Sequence, residues 1–126
     1  MPNVVDIVNE YWRLMGTNEF QSVGAVLAPE FTLEWPQSGE VIRGSENFSR
    51  INSEYPAHGP WSFAIDRLVY SESEAVTDVT VTDSVVVARA VSFFYVNDGK
   101  IHRIVEYWPD PFPAPANRSH FVEMSV

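Results

Sequence analysis

The sequence predicts an α+β fold in which helices come first and a mainly antiparallel sheet follows. Apolar residues recur with helical spacing in three segments before residue 56. After residue 60 the chain becomes rich in Val, Ile, Thr and aromatic residues, which suit strands. Short turn signals separate the last three of these strands, and loops that short join antiparallel neighbours. The chain of 126 residues is predicted to form one domain, residues 1–126.

The predicted helices are placed by their apolar stripes and by the residues at their ends. The first spans residues 4–16, with Asn3 as a suitable N-cap. The second spans about residues 20–27 and ends before Pro29, because proline disfavours a helical conformation in the residue that precedes it. The third spans about residues 45–55. Three helices are therefore expected, two that open the chain and one after the first strand pair.

Strands are predicted where apolar and polar residues alternate. In the first, Phe31, Leu33 and Trp35 share one face, and Thr32 and Glu34 share the other. The same reasoning gives strands at residues 31–35, 40–43, 62–70, 75–82, 85–96 and 100–108.

The C-terminal part of the chain is predicted to be a Pro-rich extension, residues 109–126. Proline stands at every second position from 109 to 115, so this stretch cannot join a strand ladder and should run as extended chain. We expect it to cross a partner subunit or to cover the mouth of a cavity.

Composition excludes several classes of function. The chain has no cysteine, so a disulfide framework or a Cys-ligated metal site is impossible. It has 17 acidic against 8 basic side chains, a formal net charge of -9, and no basic cluster, which argues against nucleic acid and anionic membranes as partners. No spanning segment, secretion signal, phosphate loop or metal motif is present, so a cytoplasmic protein without cofactor or metal is expected.

A family resemblance rests on short segments in a fixed order: Tyr11-Trp12 through Asn18, residues 27–31, Glu34-Trp35-Pro36 with Gly44 after it, and residues 98–101 leading into Glu106-Tyr107-Trp108. In this order the chain resembles the nuclear transport factor 2-like superfamily, which includes ketosteroid isomerase, limonene epoxide hydrolase, scytalone dehydratase and the SnoaL-like polyketide cyclases. The resemblance implies a cone in which a strongly bent sheet wraps three helices around a mostly apolar pocket, and it implies a homodimer. It does not fix the chemistry, because one fold carries many functions.

Glu106 is the first candidate for catalysis. It shares one strand face with Ile104 and Trp108, and loss of water there would raise the pKa of its carboxyl toward the range useful in acid–base work. Its position is similar to that of an acidic residue in limonene epoxide hydrolase. The alternatives are a hydrogen-bond partner for a buried Tyr or Trp, or a charge at the cavity rim.

Two further acids are candidates. Asp78 shares a face with Thr80, and their positions are similar to those of an arginine and an aspartate of limonene epoxide hydrolase, although both residue types differ. Asp78 is predicted either to share a proton with Glu106 or to point to solvent. Glu34 lies beside the position of the catalytic aspartate of ketosteroid isomerase and is either a base or a solvated strand residue.

Substrate contacts are predicted for Trp12, Met15, Thr80, His102, Ile104 and Trp108. The resemblance implies that Trp12 and Met15 face the cavity, and alternation along the last strand adds His102.

Three functions remain open. The first is a SnoaL-like enzyme that transfers protons on a small hydrophobic substrate, of isomerase, cyclase, dehydratase or hydrolase type. The second is a protein that binds a hydrophobic ligand without chemistry. The third is a dimeric interaction module, whose apolar outer face would include Val79, Val81, Val105 and Tyr107.

Overall fold

A computed structural model describes residues 3–125, so residues 1, 2 and 126 of the predicted domain lie outside the described part. Helices and strands follow one another in this order: α1 Val4–Gly16, a 3₁₀ helix Phe20–Val26, β1 Leu27–Trp35, β2 Glu40–Arg43, α2 Gly44–Ser53, β3 Ser62–Tyr70, β4 Glu74–Thr82, β5 Val87–Asn97, β6 Lys100–Tyr107 and a 3₁₀ helix Ala116–Phe121.

The six strands form one sheet in the order β2-β1-β6-β5-β4-β3. The β1–β6 pair is parallel and the other neighbours are antiparallel. The sheet is mixed and curls around the helices without closing into a barrel. Because the first strand pairs with the last, β6 lies in the interior of the sheet, with β1 on one side and β5 on the other. A side chain on the inner face of β6 is therefore placed at the centre of the concave surface.

Helix α1 fills this concave surface. Asn3 caps its N-terminus, since the Asn3 side chain accepts a hydrogen bond from the Asp6 N–H at 2.9 Å. Its buried stripe is made of large apolar and aromatic residues: Ile7, Val8, Tyr11, Trp12, Leu14 and Met15. These side chains pack against inward-facing strand residues such as Phe31 and Phe94, both fully buried. The aromatic part of this stripe also reaches the candidate site.

The second predicted helix is shorter and different in kind. Residues 20–26 form a 3₁₀ helix, and β1 begins at Leu27, so Pro29 lies inside a strand rather than beyond a helix. The ladder shows why this is possible: the parallel pairing to β6 is irregular between Leu27 and Thr32, and β2 pairs only from Thr32 onward. Pro29 therefore lies where no regular ladder requires its missing N–H.

The turn before β5 also differs from the prediction. Residues 85 and 86 belong to the turn because the Asp83 carboxylate accepts both of their backbone N–H groups, at 3.0 and 2.7 Å. An N–H held by a side chain is not free for a strand ladder, so β5 begins at Val87.

The Pro-rich segment 109–115 has no regular secondary structure, as its proline spacing predicts, but an exposed 3₁₀ helix follows it at Ala116–Phe121. None of the helices within residues 3–125 is both long enough and apolar enough to cross a membrane.

Candidate active site

A cavity of about 500 Å³ lies between the helices and the concave face of the sheet. Its inner walls are mainly apolar and aromatic, and polar residues of the β1–β2 turn and of the chain after β6 border it. The lining residues include Tyr11, Trp12, Met15, Leu33, Trp35, Trp61, Phe63, Glu106 and Trp108.

Glu106 on β6 contributes a buried carboxylate to the lining. Its side chain faces the concave side of the sheet, and the residue is only 4% exposed. Two indole groups donate to Oε1, Trp35 Nε1 at 3.0 Å and Trp108 Nε1 at 3.2 Å. The hydroxyl of Ser92 donates to Oε2 at 2.6 Å, across the β5–β6 pair that places Ser92 opposite Glu106. Three neutral donors thus hold the carboxylate in one orientation.

Burial raises the pKa of the Glu106 carboxyl, and the hydrogen bonds from Ser92, Trp35 and Trp108 oppose that rise without cancelling it. An indole N–H can only donate, so Oε1 cannot carry a proton while it accepts both indoles. A proton on Glu106 therefore resides on Oε2, where the Ser92 hydroxyl can turn from donor to acceptor. A carboxylate has about four lone-pair sites, and the three donors leave one for a ligand.

Tyr11 on α1 adds a second polar group to the cavity. Burial and the charge of Glu106 raise the pKa of the Tyr11 phenol well above its usual value, so it stays protonated. The hydrogen bonds found among residues 3–125 include none to its hydroxyl, and no fully enclosed side-chain oxygen in that range lacks a partner. The Tyr11 hydroxyl therefore keeps some accessible surface, and because Tyr11 lines the cavity it is a candidate donor to a ligand.

Three of the predicted binding residues lie in the cavity lining: Trp12, Met15 and Trp108. Trp12 is fixed by a hydrogen bond from its indole to the Thr77 hydroxyl at 3.2 Å. Ile104 is fully buried in the core and does not line the cavity.

Asp78 and Thr80 face the outer side of the sheet, away from Glu106. Asp78 pairs with Arg67 at 2.8 Å and also with Arg89, and these guanidinium groups lower the pKa of its carboxyl. The Thr80 hydroxyl donates to Asp66. The inner face of β4 is formed instead by odd-numbered residues such as Val79. The predicted carboxylate pair of Asp78 and Glu106 is therefore not formed.

Glu34 is also on the outer face, where its carboxylate binds the Arg103 guanidinium. That contact holds the pKa of Glu34 below its usual value. The neighbouring Trp35 faces inward in its place, in agreement with the alternation along β1.

His102 is removed from the inner face by an irregularity in β6. Val96 pairs with Ile101 and Tyr95 pairs with Arg103, so His102 is an extra residue in the ladder, a β-bulge. Its ring contacts Glu30 at 2.6 Å and does not line the cavity. The sequence prediction assumed that every second residue from Glu106 back to His102 faces inward. The bulge breaks this alternation before it reaches His102.

Of the three hydrogen-bond partners of Glu106, Trp108 was a predicted site residue and Trp35 and Ser92 were not, although the sequence carries a signal for both. Trp35 shares its strand face with the core residues Phe31 and Leu33, and Ser92 interrupts an apolar face between Ala90 and Phe94. Tyr11 belongs to the apolar stripe of α1. Within residues 3–125 there is no cluster of three or more His, Asp or Glu side chains able to hold a metal ion.

A family model for the SnoaL-like domain matches residues 8–104. The chain belongs to the SnoaL-like domain family. No curated protein matches the chain in sequence.

Solved structures show the same fold. The chain is similar to a candidate ketosteroid isomerase from Kribbella flavida DSM 17836, with 29% identity over 96% of this chain and 88% of that chain and a TM-score of 0.87. It is similar to an NTF-2 like protein of unknown function from Burkholderia xenovorans LB400, with 25% identity, 96% and 94% coverage and a TM-score of 0.77. A candidate SnoaL-like polyketide cyclase from Jannaschia sp. CCS1, at 15% identity, 86% and 88% coverage and a TM-score of 0.68, shares the fold.

Proposed function

We propose that this SnoaL-like protein is an enzyme that needs no cofactor and transfers a proton on a small, mainly apolar substrate. Glu106 is the acid or base. The observation that carries the proposal is the buried Glu106 carboxyl at the wall of the cavity, whose pKa is raised by loss of water. A carboxyl with a raised pKa takes up and releases protons closer to neutral pH.

The chemistry of the site suits proton transfer next to a carbonyl group. The Glu106 carboxylate takes a proton from a carbon beside the carbonyl, and the electron pair of that C–H bond moves onto the carbonyl oxygen. Tyr11 donates a hydrogen bond to the oxygen as its negative charge develops. Return of the proton to another carbon completes an isomerisation, and no further reagent is consumed.

The walls of the cavity support this role. Trp12, Met15 and Trp108 offer apolar surface that excludes water from the reacting atoms and holds an apolar substrate. Both acids predicted as partners of Glu106, Asp78 and Glu34, are bound to arginines outside the cavity. Glu106 therefore acts with Tyr11 rather than with a second carboxylate.

The test is solvent deuterium exchange. Small ketones and aromatic ketones that bind the protein are incubated with it in deuterium oxide, and loss of the C–H signal next to the carbonyl is followed by NMR. We expect wild-type protein to catalyse exchange and Glu106→Gln to slow it by at least about a hundredfold, the usual scale for loss of a general base. Equal exchange by wild type and Glu106→Gln would overturn the assignment.

Glu106→Gln should keep the fold. Its amide oxygen can accept both indoles, and its amide nitrogen can donate to the Ser92 hydroxyl, so no buried group loses its partner. Because the pKa of Glu106 is raised in the folded state, its ionisation costs stability as pH rises above its ordinary value of 4.5. The variant should therefore be at least as stable as wild type at pH about 8; urea unfolding checks this.

The second candidate function is binding of a hydrophobic ligand without chemistry. It is favoured by the three hydrogen-bond donors to Glu106, because they occupy most of the acceptor positions of the carboxylate without any substrate. In that case compounds bind the wild-type protein, no deuterium exchange occurs, and Glu106→Gln changes only the affinity.

A further inference from the structure

The ionisable acidic and basic residues that line the cavity are all acids. Three carboxylates line it, Glu40 and Asp110 at its exposed border and Glu106 inside, and the lining contains no Lys, Arg or His. Glu40 is held by the Ser38 hydroxyl at 2.6 Å. Glu106 is buried between apolar walls where water is scarce, so its charge acts over a longer distance than in bulk solvent, whereas Glu40 and Asp110 are exposed and act from the border. The cavity thus disfavours an anionic ligand from its border to its inner wall.

Basic residues close to the cavity do not alter this balance. Arg43 and Arg50 line a separate groove that shares only Ile51 and Tyr55 with the cavity. The Arg50 guanidinium lies 3.5 Å from the Glu54 carboxylate, so its charge is partly matched within the groove. These two positive charges therefore belong to the groove and not to the lining of the cavity.

The walls offer aromatic rings on several sides. Trp12 packs against Phe63 with ring centres 5.5 Å apart, and Tyr55 packs against Trp61 at 6.2 Å. Eight of the lining residues are aromatic, and they include all four tryptophans of the chain. Aromatic faces attract cations through the ring quadrupole, most strongly for tryptophan and when water is excluded. Aromatic walls together with carboxylates suit a positively charged ligand better than a neutral one.

We propose that the ligand of this cavity is a cation, a small amine or quaternary ammonium compound with an apolar body. This inference rests on the proposed function in so far as the cation is the substrate of the Glu106 reaction. The border acids attract the charge, the aromatic rings hold the apolar body, and Glu106 keeps one free acceptor site at the inner wall.

The experiment compares three probes of similar shape by calorimetric titration: benzyltrimethylammonium, the neutral dimethyl benzyl carbinol and the anionic phenylmethanesulfonate. We expect the cation to bind at least about tenfold more tightly than the neutral alcohol, as cation–π and ionic contacts within a dry site imply. The anion should bind most weakly. Equal or tighter binding of the alcohol, or no binding of the cation at millimolar concentration, would overturn the inference.

Charge variants show whether the preference for the cation comes from the acids of the cavity or from the net negative charge of the protein. Asp110→Asn and Glu40→Gln together should reduce the preference for the cation several-fold and leave affinity for the alcohol unchanged. Glu72→Gln removes the same kind of charge from an exposed turn outside the cavity and should change neither affinity. A matching loss in Glu72→Gln would assign the preference to net charge and refute a cation site.

Failure of this inference is distinguishable from failure of the proposed function. If the cation preference is absent but Glu106→Gln abolishes deuterium exchange, the enzyme remains and its substrate is neutral. If the preference is present but exchange does not depend on Glu106, the cavity is a cation-binding site without the proposed chemistry.

Discussion

At the residue scale, the side of the strand decides what each acid can do. Glu106, Asp78 and Glu34 all lie on strands, yet only Glu106 faces the cavity, and its pKa is the only one of the three that is raised. Arginines stabilise the charged forms of Asp78 and Glu34, so these two carboxyls hold protons poorly near neutral pH. A buried carboxyl with neutral donors is the better proton carrier.

Ser92→Ala tests how the Glu106 carboxyl is tuned. Loss of the hydroxyl that donates to Oε2 removes an interaction that favours the charged form, so the pKa of Glu106 should rise further. The lower limb of the pH profile for deuterium exchange should move to higher pH, while Ser62→Ala, an exposed serine on β3, leaves it in place. An unchanged profile in Ser92→Ala would show that the hydroxyl does not tune the pKa of the reacting carboxyl.

Asp78→Asn tests the exclusion of the second predicted acid. Because Asp78 binds Arg67 and Arg89 on the outer side of the sheet and does not line the cavity, we expect ligand affinity and exchange rate to stay within about twofold of wild type, as for sites that share no partners. Calorimetry and the NMR exchange assay measure both. A tenfold loss of exchange at unchanged stability would return Asp78 to the reaction.

At the element scale, alternation along a strand predicts faces until the ladder is interrupted. The pattern correctly places Trp35 on the face of Phe31 and Leu33 and groups Ile104 with Glu106 on one face of β6, with Trp108 following on the same side just after the strand. It fails at His102, where the bulge shifts the register by one residue. A bulge depends on how two strands pair, and the sequence of one strand does not reveal it.

The β4–β5 turn depends on Asp83. Its buried carboxylate accepts the N–H groups of Val85, Val86 and His58, which ties the turn to the segment before β3. These bonds hold the pKa of Asp83 far below its usual value.

Asp83→Ala should lower the urea midpoint at pH about 7, because three backbone donors lose their acceptor. A depressed pKa stabilises the fold above the ordinary value of 3.8 and the benefit is lost as pH falls below it, so the difference from wild type should shrink toward pH about 3. Glu72→Ala, at an exposed turn, serves as the control. A midpoint equal to that of wild type at pH about 7 would mean that the turn holds without the carboxylate.

At the scale of the whole molecule, the outer face of the sheet carries part of the apolar surface expected of a dimer. Phe93 and Tyr107 stack edge to face at 6.1 Å and are each more than one-third exposed. Val79 and Val81, predicted for the same face, are instead buried in the core, since the inner face of β4 carries the odd-numbered residues. The homodimer stays a prediction, and of the face predicted for it Val105 and Tyr107 remain on the outer side.

Tyr107→Glu should therefore give a monomer at micromolar concentration if the dimer forms through this face, because a charge cannot be buried there without a partner. Light scattering measures the mass, and cation binding by the same variant shows whether the cavity survives. Deletion of residues 111–126 is the second variant, and it should weaken either dimerisation or ligand retention. A wild-type monomer would remove the basis for an outer-face interface.

Most of the architecture was predictable from the sequence, and most of the constellation around Glu106 was not. Helical stripes, short turns and the segments of the family pattern predict the α+β cone, which the fold confirms. Glu106 stands out because it is an acid on an apolar face. The site also contains residues from three distant elements, Ser92 on β5, Trp35 on β1 and Tyr11 on α1. Tertiary packing brings them together, and no local sequence pattern predicts that they meet.

The most direct test of the central claim is a carbon-13 NMR titration of the Glu106 carboxyl, assigned by the signal that Glu106→Gln removes. The account predicts a pKa above the ordinary 4.5 in the free protein and a lower pKa with benzyltrimethylammonium bound, since a cation favours the carboxylate. A pKa at or below 4.5 in the free protein would contradict the claim that Glu106 is a proton carrier in a water-poor cavity.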